Sequence, residues 1–193
     1  TNQKDSHYPA SGLALQCKRH RTQSGCSVER IIRTYRLNSM ADRPIKRIES
    51  LKPLSREHHH CLLFCWKIEQ GFKLNIAIDR IQRYADWFWT ACLQAHIGTE
   101  EKYVFPILGK EHKLIRQALD DHTRLKKLFT HGTNVKDSLL GISELLKAHI
   151  RFEERILFAE IQKVATPAQI SLLEKHSRPA YEDNVGDEFW IKE

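Results

Sequence analysis

The sequence has few of the residues that interrupt or cross-link a chain. Its 193 residues include 8 glycines, 6 prolines and 5 cysteines. The cysteine count is odd and no two cysteines stand in a CxxC spacing, so neither a disulfide framework nor a zinc ribbon is indicated. Glycine and proline at these levels do not fit a collagen-like or low-complexity chain. We expect a globular protein of one domain, with or without appendages, in a reducing, cytoplasmic location.

Long apolar runs are lacking as well. No stretch approaches the roughly 20 apolar residues of a membrane span, and the apolar piece at residues 12–15 is far too short for the core of a signal peptide. No segment alternates polar and apolar residues over a useful length, so strands are not required. We therefore expect no membrane partner and no β-sheet.

Positive charge is concentrated at the N-terminal end. The net charge is +7; residues 1–39 hold seven basic and two acidic side chains, a balance of +5, which leaves +2 for residues 40–193. Met40, the only methionine, stands at this boundary. We interpret residues 1–39 as an N-terminal extension or leader outside the fold, and residues 40–193 as the folded domain. Because that domain is nearly neutral, nucleic acid is not an expected partner.

Apolar residues recur every three or four positions from residue 51 onward, which is the period of an amphipathic helix. The pattern predicts four long helices, at about 55–71, 77–108, 111–131 and 136–163. Gly71 is the expected end of the first helix, and Pro106 is expected to end or kink the second.

A short fifth helix is predicted from Thr166, its cap, through Pro167 to about residue 176. The tail at 178–193 is predicted to be irregular, with Phe189 and Trp190 docked onto the helices. Four long helices joined by short links form an all-α, up-down-up-down four-helix bundle by default, here with a short fifth C-terminal helix. Such bundles carry metal and ligand sites in the core, on facing helices.

Each of the four apolar stripes carries a histidine where a core residue is expected, and two stripes carry a glutamate four residues later. Burying such groups is costly unless something satisfies them. The i,i+4 spacing places imidazole and carboxylate on one helix face, where a single metal ion contacts both. The candidate ligands are His58, His96, Glu100, His122, His149 and Glu153.

The second and fourth helices share the pattern His-Ile-x-x-Glu-Glu-x-x-aliphatic-Phe, at residues 96–105 and 149–158. This repeat indicates a quasi-twofold bundle in which each copy contributes one ligand pair. The first and third helices then supply one histidine each, and both histidines follow an acid. Glu101 and Glu154 lie about 100° off their stripes, so they are either solvated charges or hydrogen-bond partners of the histidines.

The ligand types narrow the choice of metal. Imidazole and carboxylate without thiolate suit iron, manganese or zinc. Six protein ligands exceed the need of a single catalytic ion. Two ions bridged by Glu100 and Glu153 account for all six.

Apolar side chains are expected around this site. The cysteines of the stripes, Cys61, Cys65 and Cys92, are interpreted as small core fillers, and Trp66 as a core aromatic. We expect an apolar layer that limits the access of water and admits a small apolar gas, formed by Leu62, Phe88, Cys92 and Phe152.

The sequence resembles the hemerythrin-like family of HHE cation-binding domains over about residues 50–165. The motifs that carry the resemblance are Glu57-His58, His96-x-x-x-Glu100-Glu101, Asp121-His122 and His149-x-x-x-Glu153-Glu154. Members of this family are four-helix bundles with a non-haem di-iron centre. The resemblance implies two non-haem iron ions, bridged by the two glutamates of the HxxxE pairs and held by His58, His96, Glu100, His122, His149 and Glu153.

The third helix departs from the family pattern. Oxygen-carrying hemerythrins place two histidines one turn apart there, whereas Ala118 and Lys126 flank His122 in this chain. One ion therefore has either an open position or another ligand, with His112 and His59 as candidates. This difference disfavours reversible oxygen carriage.

We expect a cytoplasmic metal-binding protein that binds or senses a small diatomic ligand, oxygen or nitric oxide, or iron itself. Two alternatives stay open, an oxygen- or peroxide-activating di-iron enzyme and a structural helical bundle without metal. Ferritin-like oxidases show two Glu-x-x-His elements, and this chain has only Glu57-x-x-His60, which disfavours the enzyme. The sequence also leaves a homodimer open.

Overall fold

A computed structural model describes residues 46–132, 134–176 and 186–191. Within these ranges the chain is helical and contains no strand, as predicted. The predicted N-terminal extension at residues 1–39 lies outside the described residues, and so does the stretch 177–185 of the irregular tail. No helix among the described residues combines the length and the apolar character that crossing a bilayer requires.

Three of the five helices are regular. The first spans Lys52–Lys73 after a 3-10 turn at Glu49–Leu51, the third spans Lys113–His131, and the fifth spans Pro167–Lys175. The fifth begins in a capping box, in which the Thr166 side chain accepts from the backbone of Gln169, as the sequence indicated.

The second and fourth helices have no break in helical structure, but π-helical turns separate their α-helical segments. The second consists of Ile78–Phe88, a π turn at Trp89–Leu93, Gln94–Thr99, a π turn at Glu100–Val104 and a 3-10 turn at Phe105–Ile107. The fourth consists of Val135–Phe152, a π turn at Glu153–Leu157 and Phe158–Val164. A π turn therefore begins at the glutamate of each HxxxE pair, and π turns inside helices are frequent at functional sites.

Gly71 does not end the first helix, contrary to the prediction. The helix continues to Lys73, and the chain turns at Asn75, which has a φ of 54°. Gly71 serves close packing instead, because a Cβ atom there would lie 2.8 Å from both Ile81 Cδ1 and Phe189 Cε2. The glycine marks where the C-terminal tail packs against the first two helices.

An aromatic cluster fills the core where the tail packs against the first two helices. The Phe64 and Phe88 rings stack with centroids 4.2 Å apart, and Trp89 stacks on Phe129 at 4.7 Å. Phe189 of the tail is buried in the same cluster, and the Lys67 ammonium lies 3.7 Å from the centroid of the neighbouring indole of the tail. The predicted docking of the tail aromatics is therefore observed.

Two aromatic or aliphatic residues predicted to be internal lie on the surface. Leu62 is 37% exposed and Trp66 is 44% exposed. Each follows a stripe residue, Cys61 or Cys65, and one step along a helix turns a side chain by about 100°. Leu62 therefore does not belong to the apolar layer, whereas Phe88 and Phe152 are buried.

Candidate metal centre

The helices bring the six predicted ligands together. All six are buried, and they form two overlapping groups whose facing atoms lie within 4.8 Å of one another. Both groups contain Glu100 and Glu153. The first group adds His58 and His96, and the second adds His122 and His149. Each group therefore offers two imidazoles, and the two carboxylates are common to both.

The Nε2 atom of each histidine faces the shared carboxylates. His58 Nε2 lies 3.1 Å from Glu153 Oε2 and 3.4 Å from Glu100 Oε1. The other three Nε2 atoms each lie 3.4 Å from a carboxylate oxygen: His96 and His122 from Glu100, and His149 from Glu153. Four imidazole nitrogens thus converge on two carboxylates.

The opposite ring nitrogen, Nδ1, faces a second carboxylate in every case. The Nδ1 contacts are His58 to Glu154 at 2.7 Å, His96 to Glu57 at 2.7 Å, His122 to Glu101 at 2.9 Å and His149 to Asp121 at 3.5 Å. An outer carboxylate on Nδ1 orients a histidine and leaves Nε2 for a metal ion, which is the usual arrangement around metal-binding histidines.

These outer contacts follow the sequence repeat. The second acid of each HxxxEE element reaches the single histidine of a neighbouring helix, Glu101 to His122 and Glu154 to His58. The phenylalanine that ends each element stacks on that same histidine, with centroids 5.4 Å apart for Phe105 and 5.5 Å for Phe158. Each repeat thus contributes one histidine–glutamate pair to the buried groups and also contacts the buried histidine of another helix.

The structure decides between the two readings of Glu101 and Glu154 in favour of histidine partners. Sequence reasoning missed the roles of Glu57 and Asp121, although their position before a stripe histidine was the available signal. It also missed Arg47, whose guanidinium donates to Glu154. Nothing in the local pattern around Arg47 indicates this contact, which joins residues 107 positions apart.

Proton affinities reflect the density of charge in the site. Burial opposes the charged form of His58 and of His122, but their hydrogen bonds to glutamates outweigh burial, so the pKa of His58 is raised well above its usual value and that of His122 to about 10. Burial likewise opposes ionisation of Glu100, yet the surrounding histidines hold its pKa well below the usual range. Opposite charges therefore stabilise one another within the site.

The inner atoms fit a metal ion better than they fit one another. Both oxygens of Glu100 and of Glu153, and Nε2 of His58, are buried without a hydrogen-bond partner of acceptable geometry in the described part of the chain. An unsatisfied buried carboxylate is costly. A cation bound between these oxygens and the Nε2 atoms would satisfy them all, so the donor set fits iron or a similar divalent ion.

Neither of the two candidates for an additional ligand belongs to the two buried groups. His59 is exposed on the first helix. His112 caps the third helix, where its Nδ1 accepts from the Leu114 backbone at 3.3 Å. Ala118 and Lys126, one turn either side of His122, are buried and exposed respectively. Among the described residues, neither candidate joins the six inner residues.

The fold and this site define a helical-bundle protein with a buried histidine and carboxylate centre able to hold metal ions. A sequence model of the hemerythrin HHE cation binding domain matches residues 46–161, more than half of the chain, and the protein belongs to that family. No curated protein and no solved structure gives a significant match.

Proposed function

We propose that this protein is a hemerythrin-like non-haem di-iron protein that binds or senses a small diatomic ligand, oxygen or nitric oxide, or iron itself. In this proposal the helices have up-down-up-down order, and Glu100 and Glu153 bridge two iron ions. His58 and His96 hold one ion, and His122 and His149 hold the other. Manganese or zinc would suit the same ligands.

The observation that carries the proposal is the sharing of two buried carboxylates between two pairs of histidines. One ion would need only one of these groups. The outer carboxylates support the same conclusion, because one lies opposite each Nδ1, with a hydrogen bond to three of the four, and each Nε2 is left facing the shared carboxylates. The absence of thiolate from both groups favours iron over a structural zinc site.

The chain's own residues suit a small ligand. When bound, iron would supply a centre that binds diatomic molecules, with or without transfer of an electron. The stacked rings of Phe105 and Phe158 cover the faces of His122 and His58, and apolar side chains of this kind keep water away from a polar centre. Two histidines and two shared carboxylates for each ion leave room in its coordination for one small molecule.

The cysteines support a reducing location for this function. Cys61 and Cys65 are buried thiols. Burial raises the pKa of Cys65 to about 12, which suppresses the reactive thiolate. We accordingly place the protein in the cytoplasm.

The test is iron loading of the untagged full chain without oxygen, followed by metal analysis and optical spectra on addition of oxygen or nitric oxide. We expect two iron ions per chain and new absorption bands when oxygen or nitric oxide is added. His58→Gln should lower the iron content, and His59→Gln, which changes the adjacent exposed histidine, should not. Fewer than about one iron per two chains, or equal effects of the two variants, would refute the proposal.

A second candidate is an enzyme that activates oxygen or peroxide at the same site. The observation in its favour is the missing second histidine on the third helix, because a less saturated ion is more open to reaction. Sustained turnover of peroxide or of a reducing substrate by the iron-loaded protein would favour the enzyme. Stoichiometric, reversible binding would favour the first proposal.

A further inference from the structure

The quasi-twofold arrangement relates the surroundings of the two proposed ion positions. Glu57 and Asp121 are counterparts, since each precedes a single histidine and contacts the Nδ1 of the next helix's histidine. Glu154 and Glu101 are counterparts as the second acids of the two repeats. The two proposed ion positions differ in how firmly these carboxylates hold the histidine rings.

Glu154 is held firmly in place. Its Oε1 takes the hydrogen bond of His58 Nδ1 at 2.7 Å, while its Oε2 accepts from Arg47 Nε at 3.1 Å and Nη2 at 2.7 Å. Arg47 also donates to the backbone carbonyl of Glu154, and only 7% of its side chain is exposed. The same guanidinium lies 5.3 Å from the centroid of Phe158, which stacks on His58. The edge and one face of the His58 ring are therefore both fixed.

The counterpart of Glu154 is much less constrained. Glu101 contacts His122 Nδ1 at 2.9 Å, but 42% of its side chain is exposed. Water competes for an exposed carboxylate, and holding its flexible side chain in one rotamer costs conformational entropy. The orientation of His122 is accordingly less well supported than that of His58.

The second comparison points in the same direction. Glu57 reaches His96 Nδ1 at 2.7 Å, whereas Asp121 lies 3.5 Å from His149 Nδ1. Aspartate is one methylene shorter than glutamate, and His149 Nδ1 is buried without a hydrogen-bond partner of acceptable geometry among the residues that the structure describes. Asp121 also lies 3.5 Å from Arg124, on its own helix. The ring of His149 thus has no firm outer support.

We propose that the two ion positions are unequal: the His58 and His96 position fills first and holds its metal more tightly, and the His122 and His149 position exchanges its metal. This inference rests on the proposed pair of ions. Outer partners of metal-bound histidines contribute about 10- to 100-fold to metal affinity. Both outer contacts are better made at the first position, so the difference in affinity falls in that range or above it.

The experiment titrates ferrous iron anaerobically into the metal-free full chain, and then measures release of iron into an excess of a ferrous chelator. We expect stepwise filling, with two Mössbauer signals that appear in sequence, and release in two phases of equal amplitude. The rates of the phases should differ by about tenfold or more. Simultaneous filling and a single release phase would overturn the inference.

Matched variants assign the phases. Asp121→Glu lengthens the side chain to match Glu57, so that it can reach His149 Nδ1. The variant should slow the fast phase about tenfold and leave the slow phase unchanged. Glu57→Asp should accelerate only the slow phase, and Arg47→Lys should do the same because one ammonium cannot reproduce the paired donors of the guanidinium. Helical circular dichroism checks that each variant folds. An Asp121→Glu protein with wild-type release, or with only its slow phase altered, would contradict the assignment.

The outcomes separate this inference from the proposed function. If the chain binds one iron, and that iron is lost in His58→Gln but kept in His122→Gln, the di-iron function is wrong and the inequality is supported. The reverse dependence would overturn the inequality. Binding of no iron would overturn both.

Discussion

The helices bury two cores of opposite character. Around Phe64 the core is aromatic and aliphatic, with stacked rings. Around Glu100 it consists of imidazoles and carboxylates that are equally inaccessible to water. Burial by itself stabilises the first region, by about 25 cal/mol per Å² of apolar surface. Burial by itself opposes the second, because charged and polar groups lose their hydration.

The two regions therefore contribute to the protein in different ways. The aromatic region stabilises the fold, whereas burial of the polar region costs free energy that the proposed metal ions would offset. Removing a buried group should therefore change overall stability in one region and the response to metal in the other. The following substitutions test that division.

The largest effect is expected in the aromatic region. Phe64→Ala removes a ring that is fully buried against Phe88, so the free energy of unfolding of the metal-free protein should fall by about 4 kcal/mol. Trp66→Ala, on the same helix but 44% exposed, should cost less than about 1 kcal/mol. Urea unfolding measures both. Similar losses in the two variants would mean that the aromatic cluster does not dominate stability.

In the polar region the effect should appear only with metal. At a free ferrous iron concentration of 100 times Kd, a bound ion raises the free energy of unfolding by about 2.7 kcal/mol. Glu153→Gln keeps the shape of the side chain but loses the charge, and should reduce this gain to near zero. Glu144→Gln, on the exposed side of the same helix, should keep it. A full metal-induced gain in Glu153→Gln would place the ion elsewhere.

The tail extends the aromatic region and offers a smaller test. Phe189→Ala leaves a void beside Gly71 and Ile81, and should lower the free energy of unfolding by about 2 kcal/mol without changing iron content. The matched control is Ile191→Ala, because Ile191 is 56% exposed two residues further on. If the two variants unfold at the same urea concentration, the tail does not contribute to the core.

The smallest effect concerns a polar contact at the edge of the aromatic region. Lys147 and Ser143 of the fourth helix donate to Glu69 of the first, Ser143 at a distance of 3.0 Å. Burial alone would raise the pKa of Glu69, but these bonds outweigh it and lower the pKa. Glu69 is partly exposed, so we expect Glu69→Gln to cost only about 0.5 kcal/mol at pH 7.

The sign of the pH dependence follows from that lowered pKa. A carboxyl with a lowered folded pKa contributes fully above its unfolded value of about 4.3, and its contribution disappears as the pH falls through the folded value. The difference between wild type and Glu69→Gln should therefore be constant from pH 6 to 8 and shrink in acid. Urea unfolding across this range measures it. A difference that grows in acid would contradict the ion pair.

Periodicity alone is sufficient to predict the helices and the six buried polar side chains. A side chain's place on a helix follows from its sequence position, so the stripe phase selected His58 over His59. The glycine stop signal is less reliable, because tertiary contacts override it. Gly71 was predicted to end a helix and instead admits the ring of Phe189.

The outer carboxylates show more clearly what helical periodicity cannot predict. A glutamate one step beyond a stripe residue has two destinations, solvent or a neighbouring helix, and only the packing of the helices selects between them. Arg47 had no sequence signal because its partner, Glu154, is 107 positions away. Contacts of this kind depend on how the helices meet.

By itself, the sequence determined the helices, the six buried polar side chains and their repeat, because local spacing decides which side chains share a helix face. The tertiary structure alone decided that these side chains form two groups with common carboxylates, and that the outer contacts differ in length. The physical reason is that distances between helices depend on packing across the core. The sequence shows that Asp121 is one methylene shorter than Glu57. Only the fold shows that Glu57 lies 2.7 Å from His96 Nδ1 and Asp121 lies 3.5 Å from His149 Nδ1.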